Sequence, residues 1–289
     1  MIDTLNLFIQ TVLLRPYVFL FFAAFLAAAV HLLGWPRAWR FWLISWATAL
    51  LCEFTSTRWG VPFGLYHYNG STIGRELYIL NVPFMASLSF SFLLFAAYSV
   101  ALCLLLPEAR SFARTPAPVV QLHFGPVARS SRSILILTSL LFALIDMVID
   151  PVALRGDRWF LGSLYHYNDP GFHFGVPLSN YVGWVVVGLI SLSIYFVLDR
   201  RLPPPPEHTG RSTSHRLLLG VGLYYLVLAF NLSVTVWIGE WSMGLSGVLM
   251  YLPVTAWLAL RLTGRLHPFA LLVADRSTDP GGNRTGDFV

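Results

Sequence analysis

Seven stretches of this chain are apolar for long enough to cross a lipid bilayer, and that sets the fold class before any motif is read. They cover residues 16–34, 39–56, 83–106, 133–150, 177–198, 216–236 and 244–262, close to the ~20 residues that a helix needs to span the hydrocarbon. Inside a bilayer each backbone N–H and C=O has to find its partner within the segment, so an apolar run of that length becomes a helix. With 56% hydrophobic and 11% charged residues in 289, the chain carries more apolar surface than one water-soluble core takes in. The expectation is an all-α membrane protein with about seven transmembrane helices in a single domain over residues 1–263, followed by a disordered tail over 264–289. The second stretch, with Trp42, Trp46 and Glu53, is the least apolar; lying at the interface, it would reduce the crossings to six.

Charge gives the orientation. The chain has no Lys, so all 19 cationic residues are Arg. Seven crossings put the connectors 35–40, 107–132 and 199–215 on the side of the C-terminal tail. That side, with Arg216 and Arg261, holds 14 Arg, whereas Arg15, Arg58, Arg75, Arg155 and Arg158 fall on the other. Positive charge accumulates on the cytoplasmic side, so the tail is expected in the cytoplasm. The net charge of +5 then reflects Arg facing anionic lipid and gives no reason to expect a nucleic-acid partner. The lack of Lys excludes a retinal Schiff base. No phosphate-cradling or dinucleotide-binding glycine pattern is present. The eight histidines form no HxxxH box, which argues against a di-iron centre, and no cofactor is called for; His67 and His166 with nearby acids leave a metal site conceivable.

Two loops are written nearly alike. Leu-Tyr-His-Tyr-Asn occurs at 65–69 and again at 164–168, each time after an Arg-Trp pair (Arg58-Trp59, Arg158-Trp159) and before a Val-Pro step (Val82-Pro83, Val176-Pro177). Helix 2–loop–helix 3 and helix 4–loop–helix 5 therefore read as a parallel internal repeat, with both loops on the non-cytoplasmic face. Aromatic rings are common at that interface, and Tyr66, Tyr68, Tyr165 and Tyr167, with Trp59, Trp159, Trp184, Trp237 and Trp241, fit such a belt. A belt does not require the same five residues in the same order, so Tyr66, His67, Tyr165 and His166 are candidate site residues.

Each copy follows a helix that ends in acids: Glu53, and Asp146 with Asp150. Glu240, between the last two helices, is sent to the same face. An acid at hydrocarbon depth costs ~2.5–3.5 kcal/mol on insertion scales, and such residues usually face a bundle interior or a wet cavity. Asp146 and Asp150, one helical turn apart, oppose each other's ionisation, and a carboxyl that keeps its proton is a usable general acid. Bland alternatives stand beside this reading: Asp150 before Pro151 as a helix terminator, Asp146 as a partner for Arg155 or Arg158, Glu240 as a solvated loop acid, and Asn180 as an interhelical hydrogen bond.

The blocks Glu53–Asn69 (with Gly60-Val61-Pro62-Phe63-Gly64), Asp146-Met-Val-Ile-Asp150-Pro151-Val-Ala153 followed by Gly156 and Trp159, and Phe174-Gly175-Val-Pro177-Leu-Ser-Asn180-Tyr-Val-Gly183-Trp184 resemble the integral-membrane carotenoid biosynthesis family. That family includes carotenoid 1,2-hydratases of the CruF and bisanhydrobacterioruberin hydratase type. The resemblance covers nearly half the chain, and the polar insertion 69–81 departs from it. It implies a carotenoid hydratase, a carbon–oxygen lyase that adds water to the end group of an acyclic polyene, with other carotenoid-pathway enzymes as conceivable partners. On that footing Glu53, Asp146 and Asp150 would transfer the proton, Tyr66, Tyr165 and Trp159 would stabilise a tertiary cation, and Asn180, His67 or Glu240 would position water. A carotenoid cyclase or isomerase would share the acid and the cation. A proton-coupled transporter would use the same acids as a relay, but the helices other than the acid-bearing ones carry almost no ionisable residue at mid-depth.

Overall fold

The computed structural model describes residues 4–106, 129–202 and 211–263. The connectors read at 107–132 and 199–215 fall partly, and the tail 264–289 wholly, outside those residues. Eight helices are present among the described residues: α1 (Thr4–Leu14), α2 (Pro16–Leu33), α3 (Trp35–Trp59), α4 (Phe84–Leu105), α5 (Arg132–Ala153), α6 (Leu178–Asp199), α7 (Arg211–Trp237) and α8 (Trp241–Leu262). Six are long and apolar enough to cross a membrane: α2, α4, α5, α6, α7 and α8. The seventh expected crossing is left open: α3 has the length of a span at 25 residues, but its Arg, Trp, Ser and Thr content makes it less apolar than the other six. α1 is an addition. Its eleven residues are too few to cross and so left no span-length signal.

Local chemistry sets several of the boundaries. Pro16 opens α2, where a missing N–H costs nothing. Gly60 closes α3 in the left-handed region, φ 72°, its N–H donating to Ser56 O. Ser131 caps α5 by accepting from Ile134 N–H at 3.3 Å. α5 does not stop at Asp150, as the Asp-Pro step suggested, but runs through Pro151 to Ala153. The proline cannot donate to the carbonyl four residues back, and His173 Nε2 donates to that carbonyl, Met147 O, at 3.2 Å instead.

α4 is the buried centre of the bundle, surrounded by α2, α3, α5, α7 and α8. Its small residues let neighbours approach closely. A Cβ on Gly220 of α7 would lie only 2.0 Å from Ser99 Oγ of α4.

The two Tyr-His-Tyr strings form strands β1 (Tyr66–Tyr68) and β4 (Tyr165–Tyr167), while β2 (Tyr78–Ile79) and β3 (Val82–Pro83) make a small hairpin. β1 pairs β4 antiparallel in the register Tyr66↔Tyr167, His67↔His166 and Tyr68↔Tyr165. The pairing is symmetric about the histidines: Asn69 N–H donates to Leu164 O at 2.7 Å, and Asn168 N–H donates to Leu65 O at 3.3 Å. Alternate residues of a strand face opposite sides and directly paired residues face the same side. All four tyrosines therefore share one face and both histidines the other.

Candidate active site

Under the tyrosine face, at the end of the bundle where α3 and α5 terminate and α6 begins, lies a cavity of about 170 Å³. That is roughly ten times the ~10–15 Å³ a single water needs. Glu53 of α3, Asp146 and Asp150 of α5 and Asn180 of α6 reach its wall, and α2, α4 and α7 supply a largely apolar remainder that includes Tyr17, Phe21, Phe90, Phe230 and Asn231. The three carboxyls and Asn180 are all buried.

The acids are held by different numbers of donors. Asp150 accepts from Tyr165 Oη on Oδ1, and from Tyr167 Oη at 2.7 Å and Asn180 Nδ2 at 3.1 Å on Oδ2. Asn180 Nδ2 also donates to Asp146 Oδ2 at 2.6 Å, so one amide bridges the two aspartates. Glu53 Oε1 accepts from Tyr68 Oη at 2.7 Å. Glu53 Oε2 and Asp146 Oδ1 are buried with no hydrogen-bond partner among the described residues. Buried polar atoms are normally paired, and both of these belong to carboxyls that line the cavity.

Around them stands an aromatic cage. The tyrosine rings contact one another edge-on or tilted, with centroids 5.5 to 6.1 Å apart. Burial pushes the phenols of Tyr66, Tyr68, Tyr165 and Tyr167 well above their usual value, and the neighbouring carboxyls add to the shift. They stay neutral and act as donors. Deeper, Trp184 stacks on Phe90 at 4.2 Å. Trp159 is fixed by Nε1 donating to Val152 O at 2.9 Å.

The sequence-derived candidates separate into two groups. Glu53, Asp146, Asp150, Tyr66, Trp159, Tyr165 and Asn180 all line the cavity. His67, His166 and Glu240 do not. The histidines lie on the opposite face of the strand pair, exposed and stacked with ring centroids 6.0 Å apart. Their Nδ1 atoms donate across the pair, His67 to Asn168 Oδ1 at 2.8 Å and His166 to Asn69 Oδ1 at 2.7 Å. Among the described residues no group of three or more His, Cys, Asp or Glu is placed to hold a metal ion. Glu240 is taken by Arg155 Nε at 3.0 Å and by Arg158 Nη1. Its own partial desolvation favours the neutral form, but the hydrogen bonds and charges of the two guanidiniums outweigh this and hold the carboxyl below its usual range. The arginines considered as partners for Asp146 thus serve Glu240, and Asp146 is served by Asn180.

Tyr68, Tyr167, Trp184, Phe90 and Asn231 line the cavity without having been singled out. The first two were legible. A period of two over Tyr-His-Tyr places both tyrosines on one face and the histidine on the other. Asn231, a buried amide inside the apolar span of α7, carried the same signal as Asn180, a polar group costly at that depth, and was not read from it.

Fold and site together define a helical membrane protein with an apolar, aromatic-walled cavity whose polar groups are carboxyls, phenols and one bridging amide. The chain belongs to the carotenoid biosynthesis protein family, whose profile matches residues 14–253, extending on both sides of the blocks that carried the resemblance. Over 180 residues it is 30% identical to bisanhydrobacterioruberin hydratase of Haloarcula japonica, a match that takes in 60% of this chain and 52% of the relative. The chain thus spans about half the length of that curated relative. No solved structure matches it.

Proposed function

We propose that this protein is a hydratase that adds water across the terminal C1,2 double bond of an acyclic carotenoid end group. A carboxyl gives its proton to C2, the electron pair of the double bond forms the new C–H bond, and a tertiary cation remains at C1, which bears two methyls. Water oxygen bonds to C1, and the oxonium proton returns to a carboxylate, leaving a tertiary alcohol and a regenerated acid. No electron acceptor enters this balance.

Glu53 and Asp146, each with an oxygen that meets no donor among the described residues, are suited to present the proton and to take it back. Asp150, with three donors aimed at it, is suited to remain negative and to face the developing cation. The tyrosine faces, Trp159 and Trp184 offer π electrons to the same cation, worth ~0.5–2 kcal/mol for each well-placed ring. Asn180 keeps the two aspartates in register. Glu240 has no role in this scheme and tethers the α7–α8 turn to the second loop. In the orientation expected from the Arg distribution, the cavity sits near the non-cytoplasmic face, with the polyene arriving through the lipid.

The observation that carries the reading is the meeting of three carboxyls from two helices on one apolar, aromatic-walled cavity, in a chain of this family with a hydratase relative. The test is to express the full chain in a bacterium that accumulates an acyclic carotenoid and to analyse the pigments by mass. A product heavier by one water is expected. Products of unchanged mass carrying a new ring or a shifted double bond would identify a cyclase or an isomerase, and an unaltered pigment profile with the protein present in the membrane would overturn the proposal.

A further inference from the structure

A hydratase buried in lipid needs two entrances, since its polyene comes from the bilayer and its water does not. A second cavity, of about 430 Å³, lies between strand β1 and the insertion 69–81 and is lined by His67, Tyr68, Gly70, Ile73, Tyr78, Leu80 and Asn81. Its rim is open, with His67 exposed and Ile73 and Leu80 each 70% exposed. The inner cavity and this vestibule share one residue, Tyr68. The Tyr68 hydroxyl points inward and donates to Glu53 Oε1 at 2.7 Å.

We propose that the vestibule is the water entrance and that Tyr68 is the positioning residue that passes water from it to Glu53; this rests on the hydratase reading and goes beyond it. Three observations support the assignment. The vestibule presents His67, Tyr78 and Asn81 to its contents, and water occupies space of this size where polar partners line it. The walls are fixed: Glu76 accepts from Thr72 Oγ1 and is paired with Arg15, Thr72 also bonds Tyr78 at 2.7 Å, and Asn81 Oδ1 accepts from Arg58 Nη1 at 2.7 Å. The insertion is therefore held as a built wall. Finally, the route ends on the acid whose second oxygen, Oε2, has no partner among the described residues.

The chemistry supplies a readout that structural damage would not give. A tertiary cation that meets no water loses a proton from an adjacent carbon to a carboxylate, which yields an alkene isomer of the substrate's own mass. The ratio of hydrated to isomerised product thus reports water delivery independently of total turnover. Ile73 packs over Gly70, where an added Cβ would lie 3.0 Å from Ile73 Cδ1, so Ile73→Trp narrows the vestibule from an exposed position. Tyr68→Phe keeps the dividing ring and removes the hydroxyl.

The experiment measures both products, and KM for the polyene, with full-length protein in native membranes. Each variant is expected to shift the ratio about ten-fold toward the isomer, equivalent to ~1.4 kcal/mol between the two fates of the cation, with KM nearly unchanged. A ratio equal to wild type in both variants, whatever the total yield, overturns the water-entrance assignment. Wild-type protein that forms no hydrated product overturns the hydratase reading itself, and this inference with it.

Discussion

Replacing Asp150 by Asn separates the chemistry from the scaffold, because the side chain keeps its shape and loses one acceptor and its charge. Asp150 accepts on both oxygens, from Tyr165 on one and from Tyr167 and Asn180 on the other. In the Asn variant the new NH2 avoids the two-donor side and faces Tyr165, whose phenol has to turn and accept, so one hydrogen bond is reversed and all three become neutral. A hydrogen bond to a charged group is worth ~1.5–3 kcal/mol. Relief from burying a carboxylate offsets part of this, leaving a folding cost of about 1–3 kcal/mol. Loss of the charge opposite the cation costs more: removing a preorganised electrostatic partner typically lowers kcat ~10²–10³-fold, or ~2.7–4 kcal/mol. The assay compares hydrated pigment per unit of membrane-inserted protein in a host that makes the acyclic precursor. Precursor should accumulate, with product down at least a hundred-fold at equal protein levels on that electrostatic scale. Hydrated product within about three-fold of wild type, less than ~0.7 kcal/mol, would remove Asp150 from the mechanism.

Further outcomes follow from other contacts. Tyr167→Phe deletes one of Asp150's donors and should lower turnover about ten- to a hundred-fold while leaving the fold intact, measured as product per folded protein. Gly183→Ala would place a Cβ 2.4 Å from Phe63 Cδ1 and 3.0 Å from Phe63 Cα, so overpacking of about 1–3 kcal/mol should lower the melting temperature, and displacement of Phe63 into the cavity should raise KM. Glu240→Gln breaks partly exposed ion pairs and should cost no more than ~1 kcal/mol per pair. Because the Glu240 carboxyl is held below its usual range in the folded chain, its contribution is complete above that range and is lost as pH falls through the lowered value. Melting temperatures of wild type and Glu240→Gln should therefore converge on acidification and differ most near neutrality.

Much of the fold was legible in the sequence because membrane helices announce themselves by length and apolarity. The six spans match the expected stretches, and the disagreements have physical causes. α3 reads as ambiguous because its polar residues are satisfied inside the structure, as Glu53 is by Tyr68 and Ser56 by Phe63 N–H. α5 outruns its Asp-Pro signal because His173, twenty-six residues away, takes the carbonyl that Pro151 leaves free. Long-range pairings were the least legible part. The alternation within Tyr-His-Tyr was legible, but three residues are too few to mark a strand, and that two copies of one string would pair with each other is a tertiary fact. At the site, the acids and Asn180 stood out because polar groups are costly at that depth. The alternative of an Arg155 or Arg158 partner for Asp146 does not hold, because the fold brings the α7–α8 turn and its Glu240 to those arginines.

The central claim is that a polyene end group is protonated in the acid-lined cavity and captured there by water. Membranes containing the full-length chain, supplied with an acyclic carotenoid in water enriched in both ¹⁸O and deuterium, test it in one mass spectrum. The account predicts one labelled oxygen in the tertiary hydroxyl and one solvent deuterium on the adjacent carbon, with both signals lost in a Glu53→Gln, Asp146→Asn double variant. A hydroxyl whose oxygen does not come from water, or labelling that persists in the double variant, would contradict it.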